Sequence, residues 1–428
     1  MYFNRRNFLR SASILAACSL GEFDVMAAAM QAKTHGNKVS EDDDAYWNNV
    51  RQLFPLTRER IYLNTGTMGA SPYPVIEAVR EGMMKSDEHG DYGGYENSIE
   101  VLAKFTGCSK NEIALTHNVT EGINIACWGL PLKRRDEVII SDQEHVGNAL
   151  PWLNRQKLHG IILKTFTPAA TADETLNRIS ALITKRTRVI AVPHIPCTQG
   201  QVLPVKEICR LAREKGVYSC IDGAHGPGML QLDLHDMGCD TYASCCHKWM
   251  LGPKGTGFLY VRAGFGSVLQ PYFVGGGSSG GEWDMVLKPE YMPPYADNAH
   301  RYFGGTQSLG LAMGVMAAVD FLNNIGMDNV HRRIKYLGSY LQQRLLALDD
   351  KIELLTPTEE SSFCGVNSFR IRNVPYSDFY KLCSGEGIRV RGVPENGINC
   401  TRVSTHIYND TQEIDKLMKV VEKAAVSG

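Results

Sequence analysis

The sequence has no Cys-x-x-Cys pair and no cysteine–histidine spacing of the zinc type, which excludes a structural zinc centre of the usual kinds. Twelve cysteines are present, but they are scattered. Cys127, Cys209 and Cys220 fall in apolar stretches and read as small buried hydrophobes. A surplus of one charge is also missing. With 45 basic and 46 acidic residues the net charge is -1, so there is no electrostatic reason to expect nucleic acid as a partner. No long block of like charge, low-complexity tract or internal repeat interrupts the chain, and the short acidic run Glu41–Asp44 reads as solvated linker. What remains is ordinary for a soluble globular protein: 43% apolar and 21% charged residues over 428 positions. That length suits one large domain plus a smaller one.

The N-terminus stands apart. Asn4-Arg5-Arg6-Asn7-Phe8-Leu9-Arg10, followed by the mildly apolar stretch Ser11 to Leu20, resembles a twin-arginine (Tat) export signal. The apolar part is too short to span a bilayer as a mature helix. Ala27-Ala28-Ala29 offers a cleavage site, so residues 1–29 are assigned to the signal and residues 30–60 to a linker and N-terminal arm. Leu15-Ala16-Ala17-Cys18 also resembles a lipoprotein box, which would make Cys18 a lipid anchor and bring the membrane in as a partner. The pattern implies a periplasmic protein delivered folded by the Tat machinery. A cofactor would then be loaded before export, and free cysteines would survive because folding takes place in a reducing compartment.

From Ile61 onward, helical and strand patterns alternate. Helices are expected at Pro74–Met84, Thr120–Trp128 and Val205–Lys215, the last stopped by Gly216. Strands are expected at Glu112–Leu115, Glu137–Ile140, Ile161–Thr165, Thr187–Val192, Val217–Ile221 and Gly257–Val261. This order predicts an α/β fold, with a mainly parallel sheet covered by helices over residues 61–305. Gly275–Gly281 and Pro289–Tyr295 read as a long functional loop. After Thr306 the chain is expected to be helical to about Phe321 and then to form a smaller α+β domain over 306–428.

The chemistry concentrates at strand ends, where open α/β sheets bind ligands. Lys248 sits in Ser244-Cys245-Cys246-His247-Lys248-Trp249, ahead of Gly252-Pro253-Lys254-Gly255-Thr256-Gly257. Asp222 closes the strand of Tyr218-Ser219-Cys220-Ile221-Asp222-Gly223-Ala224-His225. A lysine that forms a Schiff base and an aspartate that holds a pyridinium nitrogen are what pyridoxal phosphate (PLP) chemistry needs from a protein. His145 follows another strand. Asn118-Val119-Thr120 lies between a strand and a helix, where backbone N–H groups and the Thr120 hydroxyl suit a phosphate.

From about Tyr62 to the C-terminus, this order of residues resembles the class V aminotransferase family of fold-type I PLP enzymes. Cys239–Leu259 matches its lysine signature. The resemblance implies that Lys248 links to PLP, that Asp222 keeps the ring nitrogen protonated and that His145 stacks on the ring. It further implies that Thr120, neighbouring backbone and His247 bind the phosphate, and that His225 lies near the phenolic oxygen. Ser244 or Cys245 would face the phosphate where the family has Ser, Thr or Asn. Arg301-Tyr302-Phe303-Gly304-Gly305-Thr306 resembles a segment that reaches the partner subunit's phosphate, which implies a homodimer using Gly305 and Thr306. Arg402, in Cys400-Thr401-Arg402-Val403-Ser404, resembles the arginine that binds the substrate carboxylate bidentately. The cysteine desulfurase branch carries a nucleophilic cysteine in the loop that here reads Arg391-Gly392-Val393-Pro394-Glu395-Asn396-Gly397. Cys400 reads as a buried strand residue. His-Lys-Trp and the opening Asn64-Thr65-Gly66-Thr67-Met68-Gly69 look more like the isopenicillin N epimerase-like branch, with Asn64 among the substrate-binding residues. The expected activity is therefore proton removal at Cα of an amino acid or a derivative, of epimerase or transaminase type. A C–S lyase or desulfurase is the enzymatic alternative, and a non-catalytic PLP-binding protein the alternative of another class.

Overall fold

The structure is a computed structural model that describes residues 38–90, 93–280 and 294–427. The export signal, Cys18 and positions 281–293 of the expected long loop lie outside those residues. Strand β1 (Ile61–Tyr62) opens the fold. Strands β2 (Ile113–Thr116), β3 (Glu137–Ser141), β4 (Ile162–Phe166), β5 (Thr187–Pro193), β6 (Tyr218–Asp222), β7 (Thr241–Cys245) and β8 (Gly257–Val261) form one seven-stranded sheet, ordered β2-β8-β7-β6-β5-β3-β4. Only β8 runs antiparallel to its neighbours; the other pairings are parallel.

Burial explains why these segments are strands. β3, β7 and β8 are buried at every position, as near-continuous apolar runs must be when helices cover both faces. Alternation then sorts the side chains. Ile139, Ile190, Ile221, Tyr242 and Phe258 join the core on one face. Their chain neighbours Val138, Ile140, Val189, Cys220, Ala243 and Leu259 join the core on the other.

Twelve helices, numbered in chain order, surround the strands among the described residues: α1 (Asp44–Gln52), α2 (Tyr73–His89), α3 (Glu96–Thr106), α4 (Val119–Gly129), α5 (Val146–His159), α6 (Ala172–Leu182), α7 (Val205–Glu214), α8 (Leu234–Met237), α9 (Leu309–Ile325), α10 (Met327–Leu346), α11 (Tyr376–Gly385) and α12 (Thr411–Ser427). In α7, Val205, Ile208, Cys209 and Ala212 form the buried stripe that the 3.6-residue period requires. A second, antiparallel sheet is ordered β12-β13-β10-β9 and consists of β9 (Ile352–Leu354), β10 (Val366–Ile371), β12 (Arg391–Val393) and β13 (Cys400–Ser404). It packs with α10, α11 and α12 around a third core containing Leu337, Phe369, Phe379, Val403 and Leu417. The remaining strand, β11 (Ile388–Arg389), pairs in parallel with β1, so the N-terminal arm is stitched to the C-terminal half.

Seven elements ahead of Thr306 escaped the sequence pattern: α1, α3, α5, α6, α8, β1 and β7. Helix α5 carries Gly147 and an internal Pro151, which obscure its period. It nevertheless starts cleanly, because His145 Nδ1 accepts a hydrogen bond from the Gly147 N–H at 3.0 Å and caps it. The helix expected from Thr306 to about Phe321 is α9, and α10 follows it directly, bent by 80° at the break between them. Gly326, at φ +86°, makes that break.

Candidate active site

Lys248 lies on a tight turn beyond the end of β7. The Gly252 N–H donates to the Cys246 carbonyl at 2.8 Å and the Leu251 N–H to the Lys248 carbonyl at 3.3 Å. The N-terminal arm braces this turn: the Gly69 N–H donates to the His247 carbonyl at 2.8 Å. A Cβ at position 69 would lie 1.9 Å from the Lys248 carbonyl oxygen, so only glycine permits the approach. The Lys248 Nζ is 3.3 Å from His225 Nε2. Asp222, at the tip of β6, accepts from the Ala224 N–H at 2.9 Å and makes no ion pair among the described residues. Burial pushes its carboxyl up, opposed by the Ala224 N–H and by Lys248.

Both candidates for the position three before the lysine are hydrogen-bonded to backbone carbonyls. Ser244 spends its hydroxyl on the Gly223 carbonyl at 2.8 Å. Cys245 Sγ donates to the Ala224 carbonyl at 3.8 Å, and burial pushes its thiol up. His145 faces the same space. Burial, then repulsion by Lys248, Arg391 and Arg402, pushes its imidazole down to about 4. Behind it Glu144 is fully enclosed and pushed up to about 8 by burial. Its oxygens accept from the Ser141 hydroxyl at 2.8 Å and from Asn148 Nδ2 at 2.7 Å.

Asn118 caps α4 by accepting from the Glu121 N–H at 3.0 Å. Val119 and Thr120 follow in the first turn, where N–H groups have no intrahelical acceptor. A Cβ on Gly147 would sit 2.8 Å from Thr120 Oγ1 and 3.0 Å from His145 Nδ1, so the α4 start and the His145 loop are in close contact. His247 Nδ1 is buried without a partner among the described residues. Gly305 and Thr306 are exposed, and Thr306 lines a cleft with His117 and Gly255–Gly257 rather than joining the Lys248 cluster.

Arg402, on β13, reaches the cluster from the second sheet. Nη1 donates to the Cys197 carbonyl at 2.9 Å, and Nη2 to Asn64 Oδ1 at 3.1 Å and Thr67 Oγ1 at 2.9 Å. Arg402 is only 1% exposed, yet its Nε has no partner and it faces no carboxylate within ion-pair distance among the described residues. Arg391 is its register partner on β12 and is ion-paired with Glu395. Asn396 Nδ2 donates to the Asp142 carbonyl, tying the Arg391–Gly397 loop to the His145 loop. Gly66 lies where the halves meet: a Cβ there would be 3.1 Å from the His225 ring and 3.2 Å from Arg402 Cζ.

The structure thus gathers Lys248, Asp222, His225, His145, Cys245, Asn64 and Arg402. Sequence reasoning passed over Thr67, Glu395 and Trp249, and saw Arg391 only as part of a loop lacking cysteine. Thr67 lies in the quoted Asn64–Gly69 opening. Arg391 and Glu395, four residues apart with opposite charges, were the legible signal for the loop.

The aminotransferase class-V family profile matches residues 78–417. The chain belongs to the class V aminotransferase family. A probable cysteine desulfurase of Methanothermobacter thermautotrophicus is 29% identical over 407 residues, covering 89% of this chain and 98% of the relative. The isopenicillin N epimerase of Amycolatopsis lactamdurans is 28% identical over 405 residues, with 88% and 98% covered. Among solved structures, a C-DES variant with glycine covalently linked to its PLP cofactor superposes with TM-score 0.78 at 25% identity, covering 87% of this chain and 99% of that one. C-DES, a cystine C–S lyase, with its product cysteine persulfide superposes with TM-score 0.77 at 25% identity, covering 86% and 99%.

The class V residues here fit PLP. A buried Asp222 without an ion-pair partner matches a pyridinium N–H. The first turn of α4 and the unpartnered His247 Nδ1 match a phosphate. Residues 391–397 contain no cysteine, and Cys400 is buried in β13 with its thiol pushed up to about 11 by burial.

Proposed function

We propose that this protein is a PLP-dependent enzyme that removes the proton from Cα of an amino acid or an amino-acid-derived substrate. When bound, PLP supplies an aldehyde that joins amines and a ring that accepts the electron pair left at Cα. Lys248 would hold the cofactor through Nζ, and its amine would be the base that takes the Cα proton. Asp222 would hold the ring nitrogen's proton, and His145, neutral at physiological pH, would lie against the ring. Asn118, Val119, Thr120 and His247 hold the phosphate, with Cys245 beside it. Arg402 and Asn64 hold the substrate carboxylate. The observation that carries this reading is Arg402: a fully buried guanidinium with neutral partners only and one N–H unused calls for a carboxylate ligand. A non-catalytic cofactor binder would not need it.

Two outcomes after proton removal draw support from different observations. Relatives named as cysteine desulfurases predominate over isopenicillin N epimerases, and the cystine lyase is a close structural neighbour; these favour C–S cleavage. The thiol-free loop Arg391–Gly397 favours return of the proton, as in an epimerase or transaminase. If sulfur is cleaved, it leaves on a small molecule and not on a loop cysteine. We also propose a homodimer in which Gly305 and Thr306 complete the partner's phosphate site, supported by their exposure. Twin-arginine export is proposed from the Asn4–Ala29 pattern alone.

The test adds L- and D-amino acids, including cysteine and cystine, to the PLP-loaded chain in deuterated water. A visible band that changes with substrate, together with deuterium at Cα, is expected, and both should be lost in Lys248→Ala, with turnover down by at least about 10³-fold. Sulfide or persulfide release selects the lyase outcome, and inverted product or ketoacid the other. No visible band in the native chain would sink the cofactor assignment.

A further inference from the structure

Trp249 follows Lys248 directly, is fully buried, and is held on several sides. Its indole ring stacks on His406 at 5.6 Å between centroids and 23° between planes. Its carbonyl oxygen is 3.0 Å from His406 Nε2. His406 Nδ1 accepts from the Ile407 N–H at 2.8 Å, so the His406 proton is on Nε2 and is donated to Trp249. A Cβ on Gly365 would come within 2.8 Å of the indole ring. The indole is therefore fixed, and its Nε1–H points at His225 Nδ1 at 3.1 Å.

That contact has one chemical meaning. An indole nitrogen only donates, so His225 Nδ1 must be the acceptor. A buried neutral imidazole carries one ring proton, and it must then sit on Nε2, the atom 3.3 Å from Lys248 Nζ. An ammonium at Nζ would oppose that N–H donor to donor, whereas an amine lone pair would accept from it.

We propose that Trp249 is a positioning residue that locks His225 in the Nε2–H tautomer, so that His225 presents a donor to Lys248 and favours the unprotonated lysine nitrogen. The inference rests on Lys248 being the cofactor lysine. The groups facing the His225–Lys248 pair are Asp222 from β6, Cys245 and His247 from the lysine strand and turn, His145, and Arg391 and Arg402 from the second sheet. Burial and the cations among them hold His225 neutral. None of them replaces the indole at Nδ1, because Trp249 supplies the bond there.

Two measurements test this. In the native chain labelled with 15N-histidine, the ring shifts of His225, assigned by their loss in His225→Gln, should show Nε2 protonated and Nδ1 bare. Nδ1 protonation overturns the proposal, whether or not cofactor binds. In the PLP-loaded chain without substrate, the pH midpoint of the visible band should rise in Trp249→Phe by about one pH unit, a tenfold change in the proton equilibrium. Gln at position 225 presents a donor without tautomers. In the His225→Gln background the same Trp249→Phe change should therefore move the midpoint by less than about a third of a unit. Equal shifts in both backgrounds, or none in either, would show that Trp249 is packing alone. A native chain that gives the Nε2–H signature but no visible band would defeat the cofactor assignment while leaving the tautomer lock standing.

Discussion

The two halves of the candidate site are built on opposite plans. Around Lys248, buried imidazoles are neutral and oriented by hydrogen bonds: His225 by Trp249, His145 by the Gly147 N–H, His406 by the Ile407 N–H. Around Arg402, charge is abundant and incompletely satisfied. Arg402 Nε, Arg391 Nη1 and Glu395 Oε2 are all buried without partners among the described residues. A half whose imidazoles are mostly pre-oriented, with His247 Nδ1 left bare where a phosphate would bind, suits a resident group. A half with unmet polar demand suits a ligand that comes and goes, because each unpaired buried polar atom costs about 1–3 kcal/mol until it is paired. The lysine half thus resembles a holder and the arginine half a receiver.

Removing the receiver should have the largest effect on substrate and the smallest on the cofactor. Arg402→Ala is expected to raise KM for amino acids by about 10²- to 10³-fold, from the loss of two charge-assisted hydrogen bonds to a carboxylate. The visible band of the loaded chain without substrate should stay, and parallel loss of band and affinity would dissolve the distinction between the halves. Acidification should attack the opposite half. His194, whose backbone N–H donates to the Asp222 carbonyl at 2.8 Å, and His406 are fully enclosed, and burial holds both near 4 instead of 6.5. Their folded pKa values are depressed, so the unfolded chain takes up protons first as pH falls. Stability is present above about pH 6.5 and is lost on the way to about pH 4, by about 3 kcal/mol per histidine. Glu144 tilts the other way: raised to about 8, it contributes below pH 4.5 and loses that contribution as pH rises through 8. Thermal unfolding from pH 7 down to 4 should show the histidine loss prevailing over the single carboxyl. Carboxylate binding at Arg402, whose guanidinium is lowered only to about 10, should survive until pH approaches that value.

The smallest effect sharpens the comparison. Glu395→Gln leaves Arg391 without its acid in a partly exposed site, and should lower unfolding free energy by about 1 kcal/mol in denaturant melts. It should leave the visible band in place. A change in the band would mean that the Glu395 loop reaches the lysine half.

Much of the lysine half was readable as sequence because its residues sit at strand ends close along the chain. Asp222, His225 and Lys248 fall within one stretch that runs from the end of β6 through α8 to just beyond β7, and the apolar run of β6 marks its start. The sheet order and the single antiparallel strand β8 were not readable, since register is set by which apolar faces meet. Trp249 entered the sequence reading only as part of the His-Lys-Trp triplet; its polar edge acquires meaning once His225 Nδ1 lies 3.1 Å away. The arginine half was harder for a related reason. Asn64, Thr67 and Cys197 meet Arg402 only through tertiary folding, and the carbonyl of Cys197 carries no side-chain signal at all.

The pairing of β1 with β11, and the Asn64 bond to Arg402 across 338 residues, have a consequence for synthesis. A ribosome makes Asn64 early and Arg402 near the end. The seven-stranded sheet is complete by Val261, whereas the arm that braces the Lys248 turn has no partner strand until Ile388 has emerged. Closing so long a loop is slow. The nascent chain therefore passes through a stage in which the lysine turn exists and the Arg402 cluster does not, and the two meet only as the last strand arrives.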